Sequence, residues 1–516
     1  MTPKSVRVPS LSERASGVLL HPTSLPGPYG CGDLGDSARR FVRFLAAAGQ
    51  RFWQMLPVSP PGEGSSPYSA RSAFAGNPLL IGLDVLADEG LLSADDLAEK
   101  PDLPADRVDF EPTADFRERM LRKAFAVFQE RGPSEERQRF ERFCEESRSW
   151  LDDYALYSAL RHREGAPWFQ WDPGLRDREP AAMERARREL RRELGFLQFQ
   201  QYLFDKQWRE LRVICAGLGI GLIGDIPIFV AHDSADVWQH RDIFRLDEEG
   251  MPTVVAGVPP DYFSKTGQRW GNPLYRWARM KKGGYAWWIQ RLGVTLSRFD
   301  AVRLDHFIGF QRYYEIPASA PTAETGRWMK GPSSDFFRAV RDAFGSLPLI
   351  AEDLGAVSPK VRALRDRFNL PGTRVLQFAF GTDVQAPDFQ PHNFVRRAVV
   401  YTGTHDNDTT VGWFNDQGGE DSPRSPEQAQ AERDACLRYL GTEGSEIHWD
   451  MIRLALMSVA DLAVFPLQDL LGLGSEARMN RPGTGSGNWN WRFNDGALKD
   501  AIAERLLTLT RTYGRA

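Results

Sequence analysis

The stretch "FDAVRLDHFIGF" (299–310) begins as a buried strand and finishes in charge. Ala301, Val302 and Leu304 are apolar, as in a strand covered on both faces. Arg303, Asp305 and His306 then occupy its last positions. Side chains alternate across a strand, so Arg303 and Asp305 project to the same side as next-but-one neighbours. A packed strand whose tip turns polar is what a (β/α)8 barrel places at its mouth.

Seven other apolar runs fit the same description. Gly17–Leu20 precedes His21, and Phe52–Leu56 precedes "PVSP". Gly221–Ile223 leads to Asp225 and Leu347–Ala351 to Glu352, with Arg374–Phe380 next. Arg397–Tyr401 runs into "TGTHDND", and Leu462–Leu467 into Gln468 and Asp469. Helical patterns lie between these runs. In "FLQFQQYLFDKQWRELRVICAGLG" (196–219), Leu203, Phe204, Trp208, Leu211 and Cys215 form an apolar stripe at helical spacing. "DSARRFVRFLAAAG" (36–49) offers an Asp or Ser as N-cap and Gly49 as its stop.

Eight strands alternating with helices predict a closed (β/α)8 TIM barrel, α/β in class; no G-x-G-x-x-G follows any strand to favour an open doubly wound sheet. About 165 residues separate the second run from the third and about 75 the third from the fourth. Those gaps call for large, mainly helical insertions around the C-terminal mouth. We assign a helical insertion subdomain to 81–200 and a second insertion to 231–298, inside one barrel domain spanning 1–516. About 45 residues follow the last run, too few for a separate C-terminal β-sandwich domain.

Composition sets outer bounds. The chain has 516 residues, 42% hydrophobic and 26% charged, with a formal net charge of −4. That balance gives no electrostatic footprint for nucleic acid or an anionic membrane surface. No run is long and apolar enough to span a bilayer, and the first twenty residues do not read as a signal peptide. Cys31, Cys144, Cys215 and Cys436 are scattered, which predicts a reducing cytoplasm with neither disulfides nor structural zinc. Fifteen Trp and 31 Phe supply either a large core or flat faces that suit a pyranose ring.

Four strand ends carry carboxylates: Asp225, Asp305, Glu352 and Asp406. Any one of them alone reads as a cap or salt-bridge partner, but barrel topology gathers all four on one rim. A metal site is one reading, since His306 and His405 adjoin Asp305 and Asp406. Adjacent strand residues point apart, however, and no H-x-H follows the first strand, so no metal and no cofactor are expected. Glycosyl transfer is the other reading. It needs a nucleophilic and a protonated carboxyl about 5–5.5 Å apart in its retaining form. Arg303 then acquires a purpose, keeping Asp305 ionised. Glu352 must be held the other way, protonated by burial and nearby negative charge.

Several stretches also resemble a known family. They are "GVLLHPTSLPGPYGCGDLG" (17–35), "SPYSARSAFAGNP" (66–78), "GDIPIFVAHDSADVW" (224–238) and "VAGVPPDYFSKTGQRWGNPLY" (255–275). "FDAVRLDHF" (299–307), "AEDLG" (351–355), "GTHDNDT" (403–409) and "PLQDLLGLGSEARMN" (466–480) continue the series in family order. The sequence is similar to the amylomaltases, the 4-α-glucanotransferases of the α-amylase clan. The resemblance implies a retaining α-glucan transferase acting on an α-1,4-glucan donor and a glucose or maltodextrin acceptor. Asp305 matches the nucleophile, Glu352 the general acid/base, and Asp406 the third carboxylate that holds sugar hydroxyls. Arg303 and His405 match charged and hydrogen-bonding partners in that subsite, and His306 and Asp225 match other substrate-binding positions. Tyr68 matches an aromatic against which the reacting sugar stacks. The loop around Asp261, Gln268 and Trp270 resembles a flap over the acceptor side, and Asn480 a distant glucan contact. Lys265 departs from the pattern, where an acidic or small residue is usual, so no acidic role is expected there. An α-glucan hydrolase with the same carboxylates is the nearest alternative, and a glucan-binding barrel without chemistry a remoter one. A monomer is expected, with a homodimer as the alternative.

Overall fold

A computed structural model of the chain describes residues 7–260, 266–419, 422 and 424–516. Twelve strands occur among them: β1 (Ala15–Leu19), β2 (Phe52–Gln54), β3 (Gly221–Pro227), β4 (Val254–Val258), β5 (Gln268–Pro273) and β6 (Ala301–Asp305). They continue as β7 (Arg312–Pro317), β8 (Arg327–Lys330), β9 (Leu349–Ala351), β10 (Gly372–Val375), β11 (Ala398–Tyr401) and β12 (Leu462–Pro466). Eight close into a barrel in the order β1-β2-β3-β6-β9-β10-β11-β12, and every neighbouring pair is parallel. The eight runs read from the sequence are these eight strands. Several bounds differ: β2 stops at Gln54 rather than Leu56, β3 continues through Asp225 to Pro227, and β10 spans Gly372–Val375, after which residues 376–379 form a 3-10 turn.

The strands are short and apolar because both faces are covered, by the barrel interior and by the helical layer. β1, β9, β11 and β12 have no exposed residue. Helix Arg191–Gly217 runs unbroken through residue 200, and its stripe of Leu203, Phe204, Trp208, Leu211 and Cys215 is buried. It packs lengthwise on helix Ser134–Glu164, whose charged residues cover the outer surface. The helix at 36–47 starts differently from expectation. Gly35 is its N-cap without any side-chain cap, and Asp36 lies inside the first turn. There its carboxylate faces the helix's positive end, so the same residue helps electrostatically rather than as a cap.

A second sheet has no counterpart in the sequence reading. β5, β4, β7 and β8 form a four-stranded antiparallel layer in that order. Two features hid it. The β4–β5 register shifts between Val255 and Gly257, and β8 has no buried residue, so neither gives a clean two-residue alternation. The sheet has its own small core of Val255, Tyr314, Ile316 and Ala323. β5 carries Gln268 and Trp270, so the expected flap is partly a strand of this sheet.

At the opposite mouth, Arg515 closes the seam between β1 and β12. Its buried guanidinium donates to the carbonyls of Ala15, Leu456, Ser458, Ala460 and Asp461, at 2.7–3.1 Å. Arg515→Met keeps bulk but removes the buried donor these carbonyls share. Arg14 still donates to Leu456, Ser458 and Ala460, and the Ala15 amide to Asp461, so the loss should cost about 1–3 kcal/mol. Thermal unfolding should move down by several degrees while activity at room temperature persists. An unchanged melting curve would mean the carbonyls find other donors.

Candidate active site

Strand register assembles the centre. In the β3–β6 ladder Asp225 lies opposite Arg303 and Pro227 opposite Asp305. Arg303 Nη1 donates to Asp225 Oδ2 at 2.5 Å and Nη2 to Asp305 Oδ1 at 3.0 Å. The Arg303 and Asp225 side chains are 5% and 0% exposed, and Asp305 is 27% exposed. The cation is therefore shared: its buried end is neutralised by Asp225, and its outer end orients Asp305 at the mouth. Tyr68 joins the same chain by donating its hydroxyl to Asp225 Oδ2 at 2.7 Å.

Glu352 follows β9. Ala351 pairs with Leu304, so Glu352 lies beside Asp305 on the neighbouring strand, and adjacent strands are about 4.8 Å apart. Glu352 is 8% exposed. Burial pushes its carboxyl from an ordinary value near 4.5 up to about 8, and Asp305 adds to the rise. Arg303 and the amides of His306 and Leu354 pull the other way. Those amides donate to Oε2 at 2.7 Å and to Oε1 at 3.0 Å.

The third carboxylate stands in the turn after β11. Asn480 Nδ2 donates to Asp406 Oδ1 at 2.6 Å, and His405 Nε2 lies 3.4 Å from the same oxygen. Asn480, expected at a distance, is therefore a direct partner of Asp406. Arg303, matched to the subsite around Asp406, bonds Asp225 and Asp305 instead. The Tyr68 and His405 rings stack, with centroids 5.0 Å apart and planes inclined by 17°. Tyr68 thus links the Asp225 chain to the Asp406 group. His306 lies on the other flank, its ring meeting Trp270 edge-on at 4.9 Å. Trp270 Nε1 donates to Gln268 Oε1 at 3.1 Å, which fixes the tip of β5. Asp261 and Lys265 lie outside the described residues. Every other expected site residue belongs to this one constellation.

Three participants escaped the sequence reading. Arg478 donates to the carbonyls of Asp406 and Asn480, both at 2.7 Å, and so ties the two segments together. Trp489 leans on Tyr68 and His405 from a left-handed backbone, φ 66°, which no propensity foretells for tryptophan. His21 is buried beside His405; burial first and His405 second push it down to about 3, so it stays neutral. Arg478 and His21 do fall inside the quoted motifs, but residue type alone gives no sign of their partners. Among the described residues, no three His, Cys, Asp or Glu side chains are placed to hold a metal ion.

The family model described as 4-alpha-glucanotransferase matches residues 20–499. This chain belongs to the 4-alpha-glucanotransferase family. The 4-alpha-glucanotransferase of Thermus thermophilus is 50% identical over 511 residues, 97% of this chain and 99% of that protein. The chloroplastic/amyloplastic 4-alpha-glucanotransferase of Solanum tuberosum is 42% identical over 513 residues, 97% of this chain and 86% of its own length. Among solved structures, the amylomaltase from Streptococcus agalactiae in complex with acarbose superposes with a TM-score of 0.92 at 34% identity. That match covers 98% of this chain and 100% of the other.

The raised Glu352 carboxyl has a consequence for stability. Its proton is held more tightly in the folded enzyme than in the unfolded chain, so ionising it opposes folding. This contribution is absent below about pH 4.5, grows as the pH rises, and levels off above about pH 8. Glu352→Gln cannot ionise. Its melting temperature should therefore gain on the wild type steadily between those limits. A gap that stays constant or reverses would show that Glu352 is not held protonated.

Proposed function

We propose that this enzyme disproportionates α-1,4-glucans by a retaining double displacement. One observation carries the reading: two neighbouring strand ends treat their carboxyls in opposite ways. Asp305 is partly exposed and held by a guanidinium, whereas Glu352 is buried, and burial pushes its carboxyl up to about 8. That is the division between nucleophile and general acid.

In the first displacement Glu352 gives its proton to the glycosidic oxygen. Asp305 attacks the anomeric carbon from the opposite face, the carbon–oxygen bond breaks, and the reducing-end portion leaves. A β-linked glycosyl ester on Asp305 remains. In the second, Glu352 accepts the proton of an acceptor hydroxyl, that oxygen attacks the same carbon, and Asp305 departs. Two inversions return the α configuration. Asp406, held by Asn480 and flanked by His405, is placed to bind hydroxyls of the reacting sugar. Tyr68 offers the stacking face.

Transfer rather than hydrolysis requires water to lose the second step. A bound sugar brings its hydroxyl already oriented, with an effective molarity that can exceed that of water. Trp270, 38% exposed at the tip of β5 and touching His306, supports an acceptor-side wall of this kind. Glucose or another glucan serves as acceptor. The chemistry asks for no cofactor, and we place it in the cytoplasm with the enzyme acting as a monomer.

Incubation with maltotriose decides between the readings. Glucose appearing together with longer maltodextrins supports transfer; shorter sugars alone would establish a hydrolase, and no change a binding protein. Dialysis against EDTA should leave the rate intact, whereas loss restored by metal would revive a metal mechanism. Glu352→Gln should lower transfer from maltodextrins by about two to four orders of magnitude. It should spare glycosyl-enzyme formation from a donor with an excellent leaving group. Equal losses on both donors would assign Glu352 another task.

A further inference from the structure

The residue after Asp305 adopts a backbone conformation that its side chain does not favour. His306 has φ 51°, in the left-handed region, and forms the turn between β6 and the short helix at 308–311. An L-residue there gives up about 1 kcal/mol or more. What the turn achieves is visible at its amide. An extended strand would send successive amides to alternate sides and carry the chain past β9. Instead, the His306 N–H aims at Glu352 Oε2, at 2.7 Å. The next amide, of Phe307, donates to the Glu352 carbonyl at 3.0 Å, and Glu352's own amide donates to the Leu304 carbonyl at 3.1 Å. Main chain thus grips Glu352 on both its backbone and its carboxyl.

The ring has a separate setting. Nε2 is buried with no hydrogen-bond partner, and burial pushes the imidazole down to about 4, so it is neutral at working pH. Beneath it Gly309 leaves room: a Cβ there would come within 3.2 Å of the ring and 2.7 Å of Ile228. The ring fixes nothing on Glu352. The amide does.

We propose that His306 is a positioning residue for the acid/base, acting through its main chain: its left-handed conformation aims an amide at one carboxyl oxygen of Glu352. This rests on Glu352 being the general acid/base. One segment then governs both carboxyls, Arg303 through its side chain on Asp305 and His306 through its backbone on Glu352. The amide favours the carboxylate form and so offsets part of the burial that raises Glu352. The other ionisable groups felt at Glu352 are Arg303 and Asp305 from β6, while Tyr401 of β11 in turn feels Glu352. None of these is altered by changing His306.

The test separates backbone from ring. Four variants are compared with wild type on maltotriose, by the pH dependence of kcat/KM. Glycine and asparagine tolerate the left-handed region, whereas alanine resists it and valine resists it most. His306→Gly and His306→Asn should keep the alkaline limb at the wild-type position, although both lack the imidazole. His306→Ala and His306→Val should move the limb upward, by up to about one pH unit for valine, as the amide swings away. Their kcat should fall about tenfold or more, with KM changed far less. Should the valine variant not fold, alanine against glycine and asparagine still decides. Alanine grouping with glycine and asparagine would overturn the proposal, as would a limb displaced equally in all four. The underlying reading fails separately: an alkaline limb that survives Glu352→Gln means Glu352 is not the group observed. A limb abolished by Glu352→Gln yet unmoved across the His306 series overturns the positioning role alone.

Discussion

A guanidinium shared between two carboxylates organises the mouth of this barrel. Arg303 and Asp225 are taken almost wholly out of water, and the desolvation they incur is offset only because they meet directly. Removing one partner from such a pair costs about 3–5 kcal/mol, since the other is left charged and buried. The arrangement is therefore rigid, and rigidity is what it passes on. Its outer nitrogen fixes Asp305, its carboxylate fixes the Tyr68 hydroxyl, and Tyr68 fixes His405 by stacking. From His405 the chain reaches Asp406 and Asn480. Elements separated by more than a hundred residues in sequence become one surface because a single cation has two places to go.

The strands explain why this network can form at all. Parallel register sets Asp225 opposite Arg303 and places Glu352 one step beyond the Leu304–Ala351 pair. A slip of one residue in either ladder would turn these side chains into the helical layer. The apolar bodies of the strands, packed on both faces, forbid that slip. Packing in the barrel thus determines the surroundings of the two carboxyls at its rim: Asp305 is held by a guanidinium, and Glu352 is buried.

Much of this was legible in the sequence. Eight apolar runs with polar tips named the barrel strands, and two-residue alternation placed Arg303 and Asp305 together. What alternation cannot supply is the neighbour across the ladder, so Asp225 was found as a strand end but not as Arg303's principal partner. The antiparallel sheet was invisible for a related reason. Its β8 is nowhere buried and its β4–β5 ladder is bulged, so hydrophobic periodicity had nothing to register. Arg478 and Asn480 show a third kind of limit. Their contacts with Asp406 are made between loops, and loops carry no period from which a partner can be read.

The claim at the centre is that Arg303 holds Asp305 as the nucleophile. It is tested most directly by mixing enzyme with an activated donor such as maltotriosyl fluoride, quenching in acid, and weighing the proteolytic peptides over time. Wild type should gain one maltotriosyl unit on Asp305. Arg303→Lys, folded and with a similar melting temperature, should gain it on the same residue at least about tenfold more slowly, because a point charge cannot serve two carboxylates as a planar fork does. An adduct on Glu352 or Asp406, or an Arg303→Lys enzyme that labels Asp305 at the wild-type rate, would contradict it.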